Sequence, residues 1–311
     1  MKTPVSAMAV WMIALSACSE QADARSSPPA QAQAVQTGQR GEGAPYEMLG
    51  TQVWDVPDPV SGRQYQVFVH LPPSYDQEPG RRYPVLYVTD ADYAFPVIRQ
   101  IARRVNLDGP VIEEFILVGL SYAAGDSGTV SRNRDYTPTA NGPRRASSTV
   151  HGQGPAYQAY LKTQVLPFVE DRFRADPSRR ILLGHSYGGL LGAQILFTDP
   201  TLFHSYVLGS PSFWFDRRHI MTMEAAYARG HDDLPADVFM YIGAHEVPGP
   251  GPRNTSGPDM VADVQAMEQA LKSHGYPGLI VRSTVLPDED HLTVAPVGFT
   301  RALLEILPAK H

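Results

Sequence analysis

Along the chain, stretches in which every second residue is apolar give way to stretches with an apolar residue every third or fourth position. Residues 63–71 (RQYQVFVHL) place Tyr65, Val67, Val69 and Leu71 on one face, which predicts a half-buried strand stopped by Pro72 and Pro73. Residues 83–89 (YPVLYVT) and 114–120 (EFILVGL) are continuous apolar runs, the pattern of strands buried on both faces of a parallel sheet. Further strands are expected over 180–183, 205–208, 238–242 and 279–286. Helical spacing marks 158–173, 188–197, 260–274 and 298–307. Strands separated again and again by helices predict an α/β fold, a mostly parallel central sheet covered by helices on both faces. No break in composition interrupts 46–311, so that span is expected to be one domain.

The amino terminus follows a different pattern. Met1-Lys2 gives a short positive start, and 5–15 is an apolar run too short to span a bilayer comfortably. It ends in Leu15-Ser16-Ala17-Cys18, which resembles a bacterial lipoprotein processing site. That resemblance implies a signal peptide over 1–18, a lipid on Cys18 and a membrane-anchored protein facing the periplasm or cell surface. The alternative is an ordinary secretory signal; either way the chain is exported. Residues 19–45 are rich in Ala, Gln, Ser, Gly and Pro and carry almost no large apolar side chains, so they predict a flexible tether.

Charge narrows the range of partners. The chain carries 26 Lys and Arg against 32 Asp and Glu, with no basic run, which argues against a nucleic-acid partner. Cys18 is the single cysteine, so no disulfide braces the domain and its stability must come from its core.

The strongest chemical signal is Gly184-His185-Ser186-Tyr187-Gly188, which fits the G-x-S-x-G nucleophile elbow of α/β-hydrolases. A strand must turn sharply into a helix there, which thrusts the serine hydroxyl outward. Side chains at 184 and 188 would collide in that turn. An apolar run precedes the motif and a small-residue helix follows it, the context the motif requires. Ser186 is therefore the expected nucleophile, and the backbone N–H of Tyr187 one half of an oxyanion hole.

In this fold the order is serine, then acid, then histidine. His291 follows the last strand, where the fold delivers its general base. The acid should follow the strand 238–242, and Glu246 is the first candidate; Asp259, Asp263, Asp288 and Asp290 are rivals. The second oxyanion donor should come from Asp90-Ala91-Asp92, with the N–H of Asp92 preferred and that of Ala91 as the alternative. The paired aspartates lack the third ligand or glycine of a calcium loop, and no His/Cys cluster suggests zinc. Neither a metal nor another cofactor is expected.

With these segments in place, the chain resembles the putative-esterase family of α/β-hydrolases, which includes feruloyl esterases, S-formylglutathione hydrolases, mycolyltransferases and siderophore esterases. The likeness runs from about Tyr46 to the end. It rests on Leu71-Pro72-Pro73-Ser74-Tyr75, Tyr87-Val88-Thr89-Asp90, Arg134-Asp135-Tyr136-Thr137-Pro138, the elbow, Ser210-Pro211-Ser212-Phe213-Trp214 and Asp290-His291. Together these look most like the branch that opens trilactone siderophores such as enterobactin and bacillibactin. Two segments depart from that branch: Asp90-Ala91-Asp92 stands where Asp-Gly-Asn is common, and Gly243-Ala244-His245-Glu246 keeps only the last glutamate of Gly-Glu-x-Glu. Some branch members are described as working with a serine–histidine dyad, which leaves the acid the most open member of the triad. The resemblance implies substrate-facing roles for Tyr136, Arg134 and Trp214, each with core packing or a structural ion pair as its alternative. The resemblance does not fix the long polar stretch 125–154, which is a candidate flap over the site.

The reaction expected is hydrolysis of a carboxylic ester through an acyl-enzyme on Ser186, with a small-molecule ester as partner. Two alternatives use the same chain differently. In one, an alcohol replaces water and the protein is an acyltransferase; in the other, a non-catalytic hydrolase fold serves as a surface-binding lipoprotein.

Overall fold

The computed structural model describes residue 39, residues 41–143 and residues 149–310. The expected signal peptide, Cys18 and most of the expected tether lie outside the described residues. The chain divides into two compact units, Met1–Glu47 and Met48–His311. In the first, the side chain of Gln39 donates to the Glu47 carbonyl and accepts from the Glu47 N–H. The second carries all that follows.

Its frame is an eight-stranded sheet. The strands are β1 (Thr51–Asp55), β2 (Gln66–His70), β3 (Tyr83–Val88), β4 (Ile116–Leu120), β5 (Ala175–His185), β6 (Ser205–Gly209), β7 (Ala236–Gly243) and β8 (Leu279–Leu286), in the order β1-β2-β4-β3-β5-β6-β7-β8. β1–β2 and β2–β4 are antiparallel, and every other pairing is parallel. The helices are α1 (Ala91–Val105), α2 (Gly128–Asp135), α3 (Gly154–Tyr160), α4 (Leu166–Arg172), α5 (Tyr187–Thr198), α6 (Phe215–Gly230), α7 (Met260–Ser273) and α8 (Val294–Ile306). This is the α/β-hydrolase topology, the class expected from the alternating pattern.

The two-residue period of the strands divides the core into two. Val85 and Tyr87 of β3, and Leu182 of β5, point to one face, where α3 through α7 supply Tyr157, Val169, Leu191, Ile220 and Met267. Leu86, Val88, Ile181 and Leu183 point to the other, against Phe95 and Ile98 of α1 and Phe299 and Leu303 of α8. Because both faces are covered, the central strands have no polar alternation, hence the continuous apolar runs.

Several elements escape the hydrophobic pattern: β1, α1, α2 and α6, and the first half of β5. The stretch 158–173 is one helical path with a wide turn in it. α3 passes through a π-helical turn, Leu161–Val165, into α4. Pro167 has no N–H to return to the carbonyl four residues back, and the widened turn accommodates that loss. Among the described residues, no helix is long and apolar enough to cross a membrane.

Candidate active site

The site lies at the carboxyl ends of the parallel strands, where open α/β sheets bind their ligands. β5 ends at His185 and α5 begins at Tyr187, so Ser186 alone makes the turn between them. It does so at φ 60°, ψ −116°, in the left-handed half of conformational space. The turn is closed by contact: a Cβ at position 184 would sit 2.2 Å from the Gly188 backbone. The Ser186 N–H donates to the Gly209 carbonyl at 2.8 Å, tying the elbow to the end of β6.

His291 arrives on the loop between β8 and α8. Its Nε2 lies 3.0 Å from Ser186 Oγ, and its Nδ1 lies 2.6 Å from Glu246 Oε2. Glu246 sits in the turn after β7, 1% exposed. Its other oxygen accepts the Gly243 N–H at 2.9 Å and the Ser210 hydroxyl at 2.6 Å. The structure thus brings Ser186, His291 and Glu246 into one hydrogen-bonded line. Three of the four rival carboxylates are engaged elsewhere. Asp259 caps α7 through the Ala262 N–H, and Asp263 pairs with Arg218. Asp290 accepts from Arg253 at 2.7 Å and from the N–H groups of Leu292 and Thr293, and the Arg253 contact leads in holding its pKa down to about 2. Asp288 occupies a left-handed turn position.

Asp92 and Tyr187 lie in the first turns of α1 and α5. The two helices start side by side, because β3 pairs with β5 through Val88 and Leu183 and the Thr89 N–H donates to the Leu183 carbonyl at 3.1 Å. A Cβ at Gly188 would lie 2.2 Å from Thr89 Oγ1, so the two turns also touch. Tyr136 is buried, and its hydroxyl accepts the Asp90 N–H at 3.4 Å. Trp214 is partly exposed, its ring 6.1 Å from that of Tyr187. The Arg134 guanidinium is held by Asp135 at 2.7 Å and by Asp126 at 2.6 Å, beneath the Tyr65 hydroxyl that also reaches Asp135. Its donors are spent on protein carboxylates and Ser131.

Five further side chains complete the site. Arg132 is 2.7 Å from Asp90 Oδ1, sits over the Tyr187 ring at 5.8 Å and donates to the His185 carbonyl at 3.3 Å. The Tyr122 hydroxyl donates to the same Asp90 oxygen at 2.7 Å. His185 Nε2 lies 3.0 Å from the His291 carbonyl, so as a neutral ring it donates there and steadies the backbone of His291. Burial first, then the neighbouring His291, push the His185 pKa down to about 3. Ser210 and Ser212 bracket Pro211: the first bonds Glu246, and the second places its hydroxyl 3.3 Å from Ser186 Oγ. Arg132 was open to discovery from sequence. Positions two apart on a helix point to different sides, so if Arg134 faces inward to Asp135, Arg132 faces another way. The serines of Ser210-Pro211-Ser212 carry no such signal.

Beside His291 a cavity of about 330 Å³ opens. Val88, Leu183, Ala295 and Phe299 form its apolar wall, and Tyr122 and Arg132 lie on its polar side.

A sheet of this topology with a strained serine, a histidine and a carboxylate in line defines a serine hydrolase of the α/β class. The Putative esterase family model matches residues 59–275, and the chain belongs to that family. It is an esterase of the serine-hydrolase type. Among characterised relatives, the ferri-bacillibactin esterase BesA of Bacillus subtilis (strain 168) is 25% identical over 83% of this chain and 90% of its own length. The siderophore triacetylfusarinine C esterase of Aspergillus fumigatus is 26% identical over 78% of this chain and 88% of its own. The fold is shared with the BES protein of Bacillus cereus at a TM-score of 0.73 and 22% identity, over 86% of this chain and all of that one. It is shared with the siderophore hydrolase EstA of Aspergillus nidulans at 0.72 and 22%, over 86% and 98% of the two chains.

Proposed function

We propose that Ser186, His291 and Glu246 are the nucleophile, base and acid of this esterase, and that its substrate is an ester of the siderophore class. The observation that carries the assignment is the line of two hydrogen bonds, 3.0 Å from Ser186 to His291 and 2.6 Å from His291 to Glu246. With Nδ1–H donated to the carboxylate, Nε2 is the basic nitrogen facing the hydroxyl. Ser186 Oγ attacks the ester carbonyl and its proton passes to Nε2. The tetrahedral oxyanion takes the N–H groups of Tyr187 and Asp92. As the carbonyl reforms, the alcohol oxygen leaves with the proton from Nε2. Water then repeats the sequence on the acyl-enzyme, and the proton returns to Ser186 Oγ as the acid departs. Tyr136 and Arg134 act here as supports: one braces the turn of Asp90, the other anchors α2, the helix that carries Arg132. Trp214, partly exposed, is the aromatic wall.

Ser186→Ala is expected to abolish turnover of a short-chain p-nitrophenyl ester; hydrolysis at the parent rate by that variant would sink the assignment. The siderophore substrate is supported by the length over which the chain matches esterases named for such substrates. Incubation with ferric and iron-free enterobactin, followed by chromatography, is expected to yield linear products; intact trilactone in both would overturn that choice. Anchoring through Cys18 extends the same proposal. Cys18→Ser should move the protein from the membrane fraction to the soluble one.

A further inference from the structure

The hydroxyl of Ser212 has an unusual place. Its residue is 1% exposed, and among the described residues the side chain has a single hydrogen-bond partner, the oxygen of Ser186 at 3.3 Å. Its backbone is fixed to the same residue, since the Ser212 N–H donates to the Ser186 carbonyl at 3.1 Å. The direction of the side-chain bond follows from the rest of the line. His291 Nδ1–H donates to Glu246, so in the neutral ring Nε2 can only accept. The Ser186 hydroxyl must donate to it, which leaves Ser186 Oγ with lone pairs alone toward Ser212. A buried hydroxyl seldom leaves its proton unused, so the proton of Ser212 points at the nucleophilic oxygen.

Resting on the assignment of Ser186 as nucleophile, we propose that Ser212 is a further catalytic residue: a fixed donor to Ser186 Oγ that tightens as negative charge develops on that oxygen. At 3.3 Å the contact is long for a hydroxyl pair, whose ordinary spacing is about 2.7–2.8 Å. A donor facing an oxyanion draws closer and binds roughly twice as strongly as one facing a neutral oxygen. The bond is thus weak in the resting enzyme and strong where Oγ carries charge, the difference that accelerates a reaction. Charge appears on Oγ twice. It grows as the proton leaves for His291, before the C–O bond is complete, and again as the acyl C–Oγ bond breaks, before His291 returns the proton. Ser212 keeps its own proton throughout, so the overall balance of ester, water, acid and alcohol is unchanged. The position also fixes which lone pair attacks: one is held by Ser212, and another is left for the carbonyl carbon.

The test compares Ser212→Ala and Ser212→Thr with the parent, and uses Ser186→Ala as the control for the underlying assignment. Ester hydrolysis and inactivation by a fluorophosphonate both begin with attack by Ser186 Oγ, but inactivation has no second step. Ser212→Ala is expected to lower kcat/KM and the inactivation rate constant together, each by about tenfold, with KM within about twofold and an unchanged melting temperature. Ser212→Thr, which keeps a hydroxyl, should recover most of the loss. A role in packing alone would lower the melting temperature or raise KM and leave inactivation of the folded fraction at the parent rate. If Ser212→Ala folds poorly, Ser212→Cys keeps the side chain's shape with a feeble donor and answers the same question. Parent-like rates in a folded Ser212→Ala or Ser212→Cys variant would overturn the proposal. Activity and labelling in Ser186→Ala would instead overturn the assignment beneath it.

Discussion

Glu246 is where single-residue chemistry is most sharply defined. Its two oxygens receive three donors: the His291 ring, the Ser210 hydroxyl and the Gly243 N–H. Glu246→Gln brings an amide NH2 against groups that are themselves donors, so the ring loses its tautomer or its orientation. On the proposed assignment of Glu246 as the acid, a fall in kcat of about 100- to 10,000-fold is expected. Asp290→Asn, next to the base but bonded to Arg253, should cost far less. Equal kcat for Glu246→Gln and parent would mean that serine and histidine act as a dyad. His185 adds a pH signature. Its pKa falls from 6.5 unfolded to about 3 folded, under burial and the nearby His291 and Arg132. Below pH 6.5 the unfolded chain binds the proton and the folded one does not, so stability is lost as pH falls from 6.5 toward 3. The ring edge still reaches the cavity, which keeps the loss at pH 5 to no more than about 2 kcal/mol. His185→Asn should flatten the decline in urea midpoint between pH 7.5 and 5; an equal decline in parent and variant would show that His185 is not its source. Ser186, His291 and Glu246 were legible because each follows a recognisable strand. Ser210 and Ser212 were not, because their partners lie across the fold rather than along the sequence; Arg132 was hidden with α2, whose helical spacing is what singles it out.

At the scale of elements, legibility followed burial. β3, β4, β7, α5, α7 and α8 each bury a face, and their apolar spacing locates them within a few residues. α2 does not: it buries Arg134 and Asp135 as an ion pair, which looks like a solvated loop in a polarity pattern. β1 is a short edge strand with little to bury, and α6 begins with three residues, Asp216 to Arg218, in left-handed conformation that no periodicity predicts. Packing between elements supplies a further prediction. Tyr241 of β7 is fully buried between two glycines: a Cβ at Gly209 would lie 2.1 Å from its ring atoms, and one at Gly298 of α8 would lie 2.2 Å away. Gly298→Ala therefore forces α8 away from the sheet. Overpacking of this kind costs about 1–3 kcal/mol, visible as a lower urea midpoint. α8 starts three residues after His291, so kcat should fall as well. An unchanged midpoint would mean the ring can turn aside.

For the whole molecule the question is which part of the chain the chemistry needs. The sheet, the helices on both its faces and every side chain of the site belong to Met48–His311. The two cores close on either side of one sheet without help from a disulfide, because the sequence has a single cysteine and it lies at position 18. Among the described residues, the elbow is held by β6, His291 by His185 and the loop into α8, and Glu246 by Ser210 and Gly243, all within Met48–His311. A fragment beginning at Met48 should then fold and hydrolyse a soluble p-nitrophenyl ester with kcat/KM within about twofold of the full chain. The two arms of the comparison are activity and circular dichroism. A fragment with the parent's spectrum but a tenfold lower kcat/KM would show that the amino-terminal unit reaches the site. Equal rates would leave the chemistry to the sheet and the helices that cover it.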